Sequence, residues 1–95
     1  MPTYITQVDV NEDQFQNAQE LVSIWGAIRE DIQELGGEVH ETYAVLGGYD
    51  FHITFSVDSN EAAFQVTQVI ERHGLDTETM EALEIDRIGE IVQDT

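Results

Sequence analysis

Two alternating segments meet at Gly47-Gly48, and that junction constrains the fold more than any other feature of the chain. Glu38 to Leu46 and Tyr49 to Val57 both alternate polar and apolar residues, the period-two pattern of strands with unlike faces. A glycine pair between two such segments reads as a hairpin. Counting outward from a two-residue turn sets Leu46 opposite Tyr49, Ala44 opposite Phe51, Thr42 opposite Ile53 and His40 opposite Phe55. Phe51, Ile53, Phe55 and Val57 then share a core-forming face. Val39, Glu41, Tyr43 and Val45 share the other face with Asp50, His52, Thr54 and Ser56.

The flanking sequence supplies the rest of a sheet. Tyr4 to Val10 alternates with Tyr4, Thr6, Val8 and Val10 on one side, and predicts a first strand. Asn11 and Gln14 have capping-box spacing and open a helix from Glu12 to Leu35. Its apolar positions Phe15, Ala18, Val22, Trp25, Ile28, Ile32 and Leu35 make one stripe, and Gly36-Gly37 stops it. A helix of that span would be about 36 Å long, which exceeds strands of seven or eight residues. A kink or break is therefore expected between Glu20 and Trp25, with Ser23 and Gly26 as weak points. Asp58 and Glu61 predict a second capped helix with core residues Ala62, Ala63, Val66, Val69 and Ile70, ended by Gly74. Asp76 to Ile85 predicts the last strand. Asp86 to Val92 predicts a short helix with Ile88, Ile91 and Val92 facing in.

The order βαββαβ predicts one α+β domain over residues 1–95, with both long helices on one face of a four-stranded antiparallel, ferredoxin-like sheet. The other face would stand open in a monomer. Val39, Tyr43 and Val45, with either Met80 and Ala82 or Leu83 and Ile85, make it partly apolar. A patch of that kind marks an interface, and a second copy laid sheet to sheet would bury it. The chain is accordingly predicted to form a homodimer or higher homo-oligomer.

Charge limits the other partners. Twenty acidic residues face three arginines (Arg29, Arg72, Arg87) and no lysine, a formal net charge of −17. A monomer of this mass exposes about 5,500 Å², or about one carboxylate per 275 Å². Self-repulsion on that scale opposes the compact state in dilute buffer, whereas a Debye length near 3 Å at molar salt removes most of it. The acids run from Asp9 to Asp94 with no block of five, so a halophilic, salt-adapted surface explains them better than a mimic of DNA or a partner for a basic surface. Nucleic acid is excluded as a partner by the shortage of cations that phosphate binding requires. The absence of cysteine rules out disulfides and thiolate metal sites. MPTYITQVDV lacks the pattern of a secretory leader and no run of 18 apolar residues occurs, so a cytoplasmic protein without membrane association is expected.

Four blocks of the chain resemble the GYD-domain family: Met1-Pro2-Thr3-Tyr4-Ile5-Thr6, then Leu46-Gly47-Gly48-Tyr49-Asp50-Phe51, the turn Val57-Asp58, and Thr77-Glu78-Thr79-Met80-Glu81-Ala82. The second contains the Gly-Tyr-Asp triplet that names the family. The resemblance spans essentially the whole chain and implies a dimeric α+β barrel, two ferredoxin-like units packed sheet to sheet. It implies no activity and no catalytic residues.

No nucleophile, base and orienting group line up in the sequence, and no phosphate loop occurs. Gly48 is expected to take the positive φ of the turn, Tyr49 to pack at the hairpin base and Asp50 to hold turn amides, unless Tyr49 and Asp50 orient a ligand at the barrel rim. His52 falls opposite Tyr43 with Glu41 and Asp50 nearby. Tyr43, Tyr49, Asp50, His52 and Glu41 are therefore the ligand-binding candidates. His52 is also the only candidate for acid–base chemistry, although an interfacial hydrogen bond explains it more simply, and no metal site or cofactor is predicted. His40 is expected on the helix side, His73 at a helix C-terminus, and Trp25 in the core. Function reads first as a homodimer binding a small apolar or aromatic molecule between sheet and helices. The alternatives are a cofactor-independent monooxygenase or isomerase using His52 with Tyr43 or Asp50, and a structural or regulatory oligomer without ligand. Whether the chain is an enzyme stays open, with the balance toward no.

The charge argument makes one direct prediction. Raising KCl from about 0.1 M to about 3 M should lift the thermal unfolding midpoint by about 10 °C or more as repulsion is screened. A flat or falling midpoint in circular dichroism melts would remove the salt-adaptation reading.

Overall fold

The computed structural model describes residues 1–10 and 18–93. Its elements run β1 (Thr3–Val10), α1 (Ala18–Glu34), β2 (Glu38–Ala44), β3 (Phe51–Ser56), α2 (Asn60–Arg72), β4 (Leu75–Ala82) and α3 (Ile85–Gln93). The strands form one sheet in the order β2-β3-β1-β4, every neighbouring pair antiparallel. This is the ferredoxin-like α+β arrangement expected from βαββαβ.

One face of the sheet makes the core. Tyr4, Val8, Ile53, Phe55, Val57 and Leu75 from the strand side pack with Ile28 and Ile32 of α1 and Ala63, Val66 and Ile70 of α2. Phe55 is fully buried and stacks on Tyr4 at 5.5 Å. Burying side chains of this size contributes roughly 1.5–3 kcal/mol each. The polar member Thr6 is also fully buried, and its hydroxyl bonds Thr79 (2.8 Å), which in turn bonds Thr67 (3.0 Å). A buried hydroxyl without such a chain would be a net cost.

Several local expectations are corrected. The hairpin register is the one counted from the sequence, with Ala44 opposite Phe51, Tyr43 opposite His52 and Thr42 opposite Ile53. Its ladder ends earlier than predicted, however. Val45 N–H donates to Asp50 O (2.9 Å), so residues 46–49 form a longer loop, and the positive φ falls on Gly47 (132°), not Gly48. Beyond Glu41 a bulge intervenes, and Val39, not His40, lies opposite Phe55. One extra residue exchanges the two side chains between faces. Val39 packs against the core, and His40 stands on the far face with Nε2 2.7 Å from Ser56 Oγ.

In α1 no break occurs between Glu20 and Trp25; the helix is continuous from Ala18, and its 17 residues span only about 25 Å. The expected cap at Asn11 and Gln14, and Phe15, lie outside the described residues. Val22 is 70% exposed, and Ile24 packs on the core in its place. Trp25 is half-buried at the core edge, packed edge-on against Phe51 at 5.3 Å. The cap of α2 is Ser59, whose Oγ accepts from Ala62 N–H (3.1 Å), not Asp58. His73 caps its C-terminus as predicted. The last strand ends at Ala82, three residues early, and the following helix does not face in: Ile88 and Ile91 are each 45% exposed and Val92 61%. Among the described residues no helix is long and apolar enough to cross a membrane.

The turn after α1 is tight. A Cβ on Gly37 would stand 2.8 Å from Ile32 Cγ2 and 2.9 Å from Val57 Cγ1, both in the core. Gly37→Ala should therefore cost about 1–3 kcal/mol in urea unfolding. Gly48→Ala, with nothing within 4 Å of the added carbon, should stay within about 0.5 kcal/mol of the parent. Equal midpoints for the two variants would contradict this packing.

Candidate functional site

Both long helices lie on the core face, which leaves the opposite face of the sheet uncovered by any described element. Strand pairing orders that face into transverse rows. Tyr43, His52, Gln7 and Glu78 occupy one row, one residue from each strand in the order β2-β3-β1-β4. The next row holds Glu41, Thr54, Ile5 and Met80, and the one beyond it Glu38, Ser56, Thr3 and Ala82. At a strand spacing near 4.8 Å, each row is about 14 Å wide.

The rows differ in chemistry. Ile5, Met80 and Ala82 give the β1–β4 side an apolar floor, with Met80 40% exposed. Tyr43, 52% exposed, donates its hydroxyl to the carboxylate of Glu41 on the same strand. Tyr49, in the loop before β3, reaches across β1 to donate to Glu78 on β4. These hydrogen bonds, followed by the repulsive charge of the same carboxylates, raise both phenols above their ordinary range. In Tyr4, on the core side, burial is the larger cause, with Glu81 adding to it.

Four of the five sequence candidates, Glu41, Tyr43, Tyr49 and His52, therefore meet on the open face. Asp50 stands apart as a clamp. Its carboxylate accepts from Val10 N–H (2.9 Å) and its own N–H donates to Val8 O (2.9 Å), tying the loop to β1. Glu78 was not anticipated. It becomes visible only when the pairing of β1 with β4 is known, because that pairing alone puts it in line with His52. His73 is remote from these groups, 3.9 Å from Asp31 between α1 and α2. Among the described residues no three His, Asp or Glu side chains converge as a metal site.

The space between sheet and helices is largely filled by the core. Wider clefts of about 630 Å³ beside Thr3, Ala82 and Arg87 and about 450 Å³ between α1 and α2 open on the surface, whereas between the sheet and the two long helices there are edge clefts of about 240 Å³ between α1 and β2 and about 190 Å³ beside α2, at Tyr4, Asn60 and Phe64. Both edge clefts fall below the roughly 300 Å³ at which ligand pockets begin. The candidate side chains point away from them, so the open face is the better site.

The GYD domain family model matches residues 4–92. No protein of curated function matches the sequence. Among solved structures, the leucine response regulatory protein of Mycobacterium tuberculosis superposes with a TM-score of 0.64 at 18% identity, covering 87% of this chain and 51% of that one. The M. tuberculosis feast or famine regulatory protein, complexed with L-methionine, gives 0.62 at 14% identity, covering 88% and 51%. The protein TTHA0845 of Thermus thermophilus gives 0.55 at 29% identity, covering 88% and 95%. The chain thus spans about half the length of the two regulators.

The tyrosine–carboxylate pairs can be tested by titration. Glu78→Gln should lower the pKa of Tyr49, and Glu41→Gln that of Tyr43, toward the ordinary phenol value of about 10. Because the folded values are raised, the stability they contribute is complete below that value and is lost as pH rises through the folded pKa. With three tyrosines in the chain, ultraviolet phenolate absorbance resolves the change. Parent and variant curves that coincide would discard the pairs.

Proposed function

The chain belongs to the GYD-domain family, and from that premise we propose that it is a homodimeric ligand-binding protein whose two open sheet faces stack and enclose a small molecule. The observation that carries this reading is the uncovered face itself, with an apolar floor at Ile5, Met80 and Ala82 beside the row Tyr43, His52, Gln7 and Glu78. The protomer exposes 6540 Å², roughly 1,000 Å² more than the ~5,500 Å² of a self-sufficient monomer of its mass. A standard interface removes about 800 Å² from each partner. The excess is of the size that one interface takes away.

The lining suggests the ligand's chemistry. An apolar or aromatic body would lie on Ile5 and Met80. Its polar group would meet the imidazole of His52, whose two ring nitrogens can serve as hydrogen-bond donor and acceptor. Glu78 ends the row and Glu41 stands in the next one, in a chain of net charge −17, which favours a neutral, zwitterionic or cationic molecule over a polyanion. The two Mycobacterium regulators are described by a response to leucine and a complex with L-methionine, small molecules of this class, which supports sensing as the use of the chamber. Acid–base catalysis by His52 has less support. The Tyr43 hydroxyl is engaged by Glu41 and the Asp50 carboxylate by a backbone amide.

Protein purified in molar salt should release a small molecule on denaturation, in near-stoichiometric amount by mass spectrometry. His52→Ala should release about tenfold less while remaining dimeric, in keeping with the loss of one well-placed hydrogen bond. Light scattering that finds only a 10.7 kDa species in concentrated salt would end this reading.

A further inference from the structure

α3 is the described element with the least packing against its own protomer. Ile85, Ile88 and Ile91 recur every three residues and form one stripe, exposed at 81%, 45% and 45%. Arg87 and Glu90 pair on its polar side at 2.9 Å. Nine residues are too few to hold a helix unaided in water, so the stripe needs a surface to bind. The molecule is also long for its size. It measures 52 Å by 30 Å by 17 Å with a radius of gyration of 14.7 Å, against about 12.4 Å for a compact chain of this length.

The same protomer carries an unfilled groove of complementary character. The cleft between α1 and β2 is walled by half-buried Trp25 and Val39 and by exposed Arg29, over a floor of Ile28, Ile32 and Ile53 that is already buried in the core. Trp25 keeps a buried indole N–H without a hydrogen-bond partner among the described residues, so this is not a finished interior surface. Arg29 is one of three arginines in the chain, and α3 offers it Asp86.

We propose that α3 is an exchange arm, whose Ile85-Ile88-Ile91 stripe seats in the α1–β2 groove of a second copy. The proposal rests on the stacked-sheet dimer described above. A two-fold axis running along the strands sets β4 of one copy over β2 of the other, with the sheets about 10 Å apart. α3 follows β4 after Leu83 and Glu84, and its nine residues extend about 13 Å, enough to pass the edge of the facing sheet. The surface excess of roughly 1,000 Å² over a self-sufficient monomer leaves room for both contacts within one interface of standard size.

The chain has no cysteine, which allows a direct test. One full-length chain carries Gly26→Cys at the groove, where nothing lies within 4 Å of an added Cβ. A second, mass-tagged chain carries Ile85→Cys, Ile88→Cys or Ile91→Cys. After mixing and mild oxidation in molar salt, at least one pair should give a disulfide between the two chains in large excess over either homodisulfide. A dimer by light scattering that gives no mixed disulfide with any of the three overturns the arm and leaves the stacked sheets standing. A dominant homodisulfide through α3 overturns it also, by showing arm against arm. A monomer under all salt conditions removes the dimer and the arm together. In a second measurement, Ile88→Asp should raise the dimer dissociation constant by about tenfold or more. An unchanged constant, or co-sedimentation of the parent but not Ile88→Asp with phospholipid vesicles, would assign the stripe elsewhere.

Discussion

The buried contact of Val8, Ile53 and Phe55 with Ile28, Ile32, Val66 and Ile70 is the packing on which the rest of the molecule depends. It draws both long helices to the same side of the sheet, because the helical stripes and the strand faces have no other partner of matching size. Everything on the opposite side inherits its placement from this choice. Val8 and Thr6 face the core, so Gln7 must face away; Ile53 is buried, so His52 is not. The transverse row of Tyr43, His52, Gln7 and Glu78 follows from burying their neighbours, given the pairing of the four strands.

The legible parts of the sequence were those set by short-range pattern. Alternation gave the first strand its core face, and the spacing about Gly47-Gly48 gave the pairing of Tyr43 with His52 even though the loop proved longer. The failures have physical causes. Val39 and His40 both tolerate either environment, so nothing marked the bulge that exchanges them. Val22 and Ile24 are two residues apart in a helix, and the choice between them depends on how α1 rotates against the sheet. Ser59 and Asp58 are both good capping residues, and which one caps is decided by where the chain turns. Glu78 needed a pairing between strands some seventy residues apart, which no local signal carries.

The terminal helix illustrates a different kind of error. The spacing of Ile88, Ile91 and Val92 predicted a buried face, and the helix formed, yet those residues point away from its own core. Periodicity reports that a face must be covered. It cannot report by which molecule. The same holds for Ile5 and Met80 on the sheet. Two apolar surfaces left open on one small chain, at the end of β4 and along its length, are easier to satisfy with one partner than with two.

Charge and assembly then act on each other. Two protomers of formal charge −17 repel strongly in dilute buffer, and an apolar face alone would have to overcome that repulsion. At molar salt the screening length is near 3 Å, shorter than the roughly 10 Å between stacked sheets, so repulsion fades while apolar burial is undiminished. In the proposed dimer, the salt that suits the acidic surface is therefore also the condition that closes the chamber. Within that chamber the two carboxylates nearest the row are already met by phenol hydroxyls, Glu41 by Tyr43 and Glu78 by Tyr49. That pairing lets acidic groups line an enclosed space in an already acidic protein. In the same proposed dimer, Gln7 and His52 are the row's remaining donors and acceptors for a ligand's polar group.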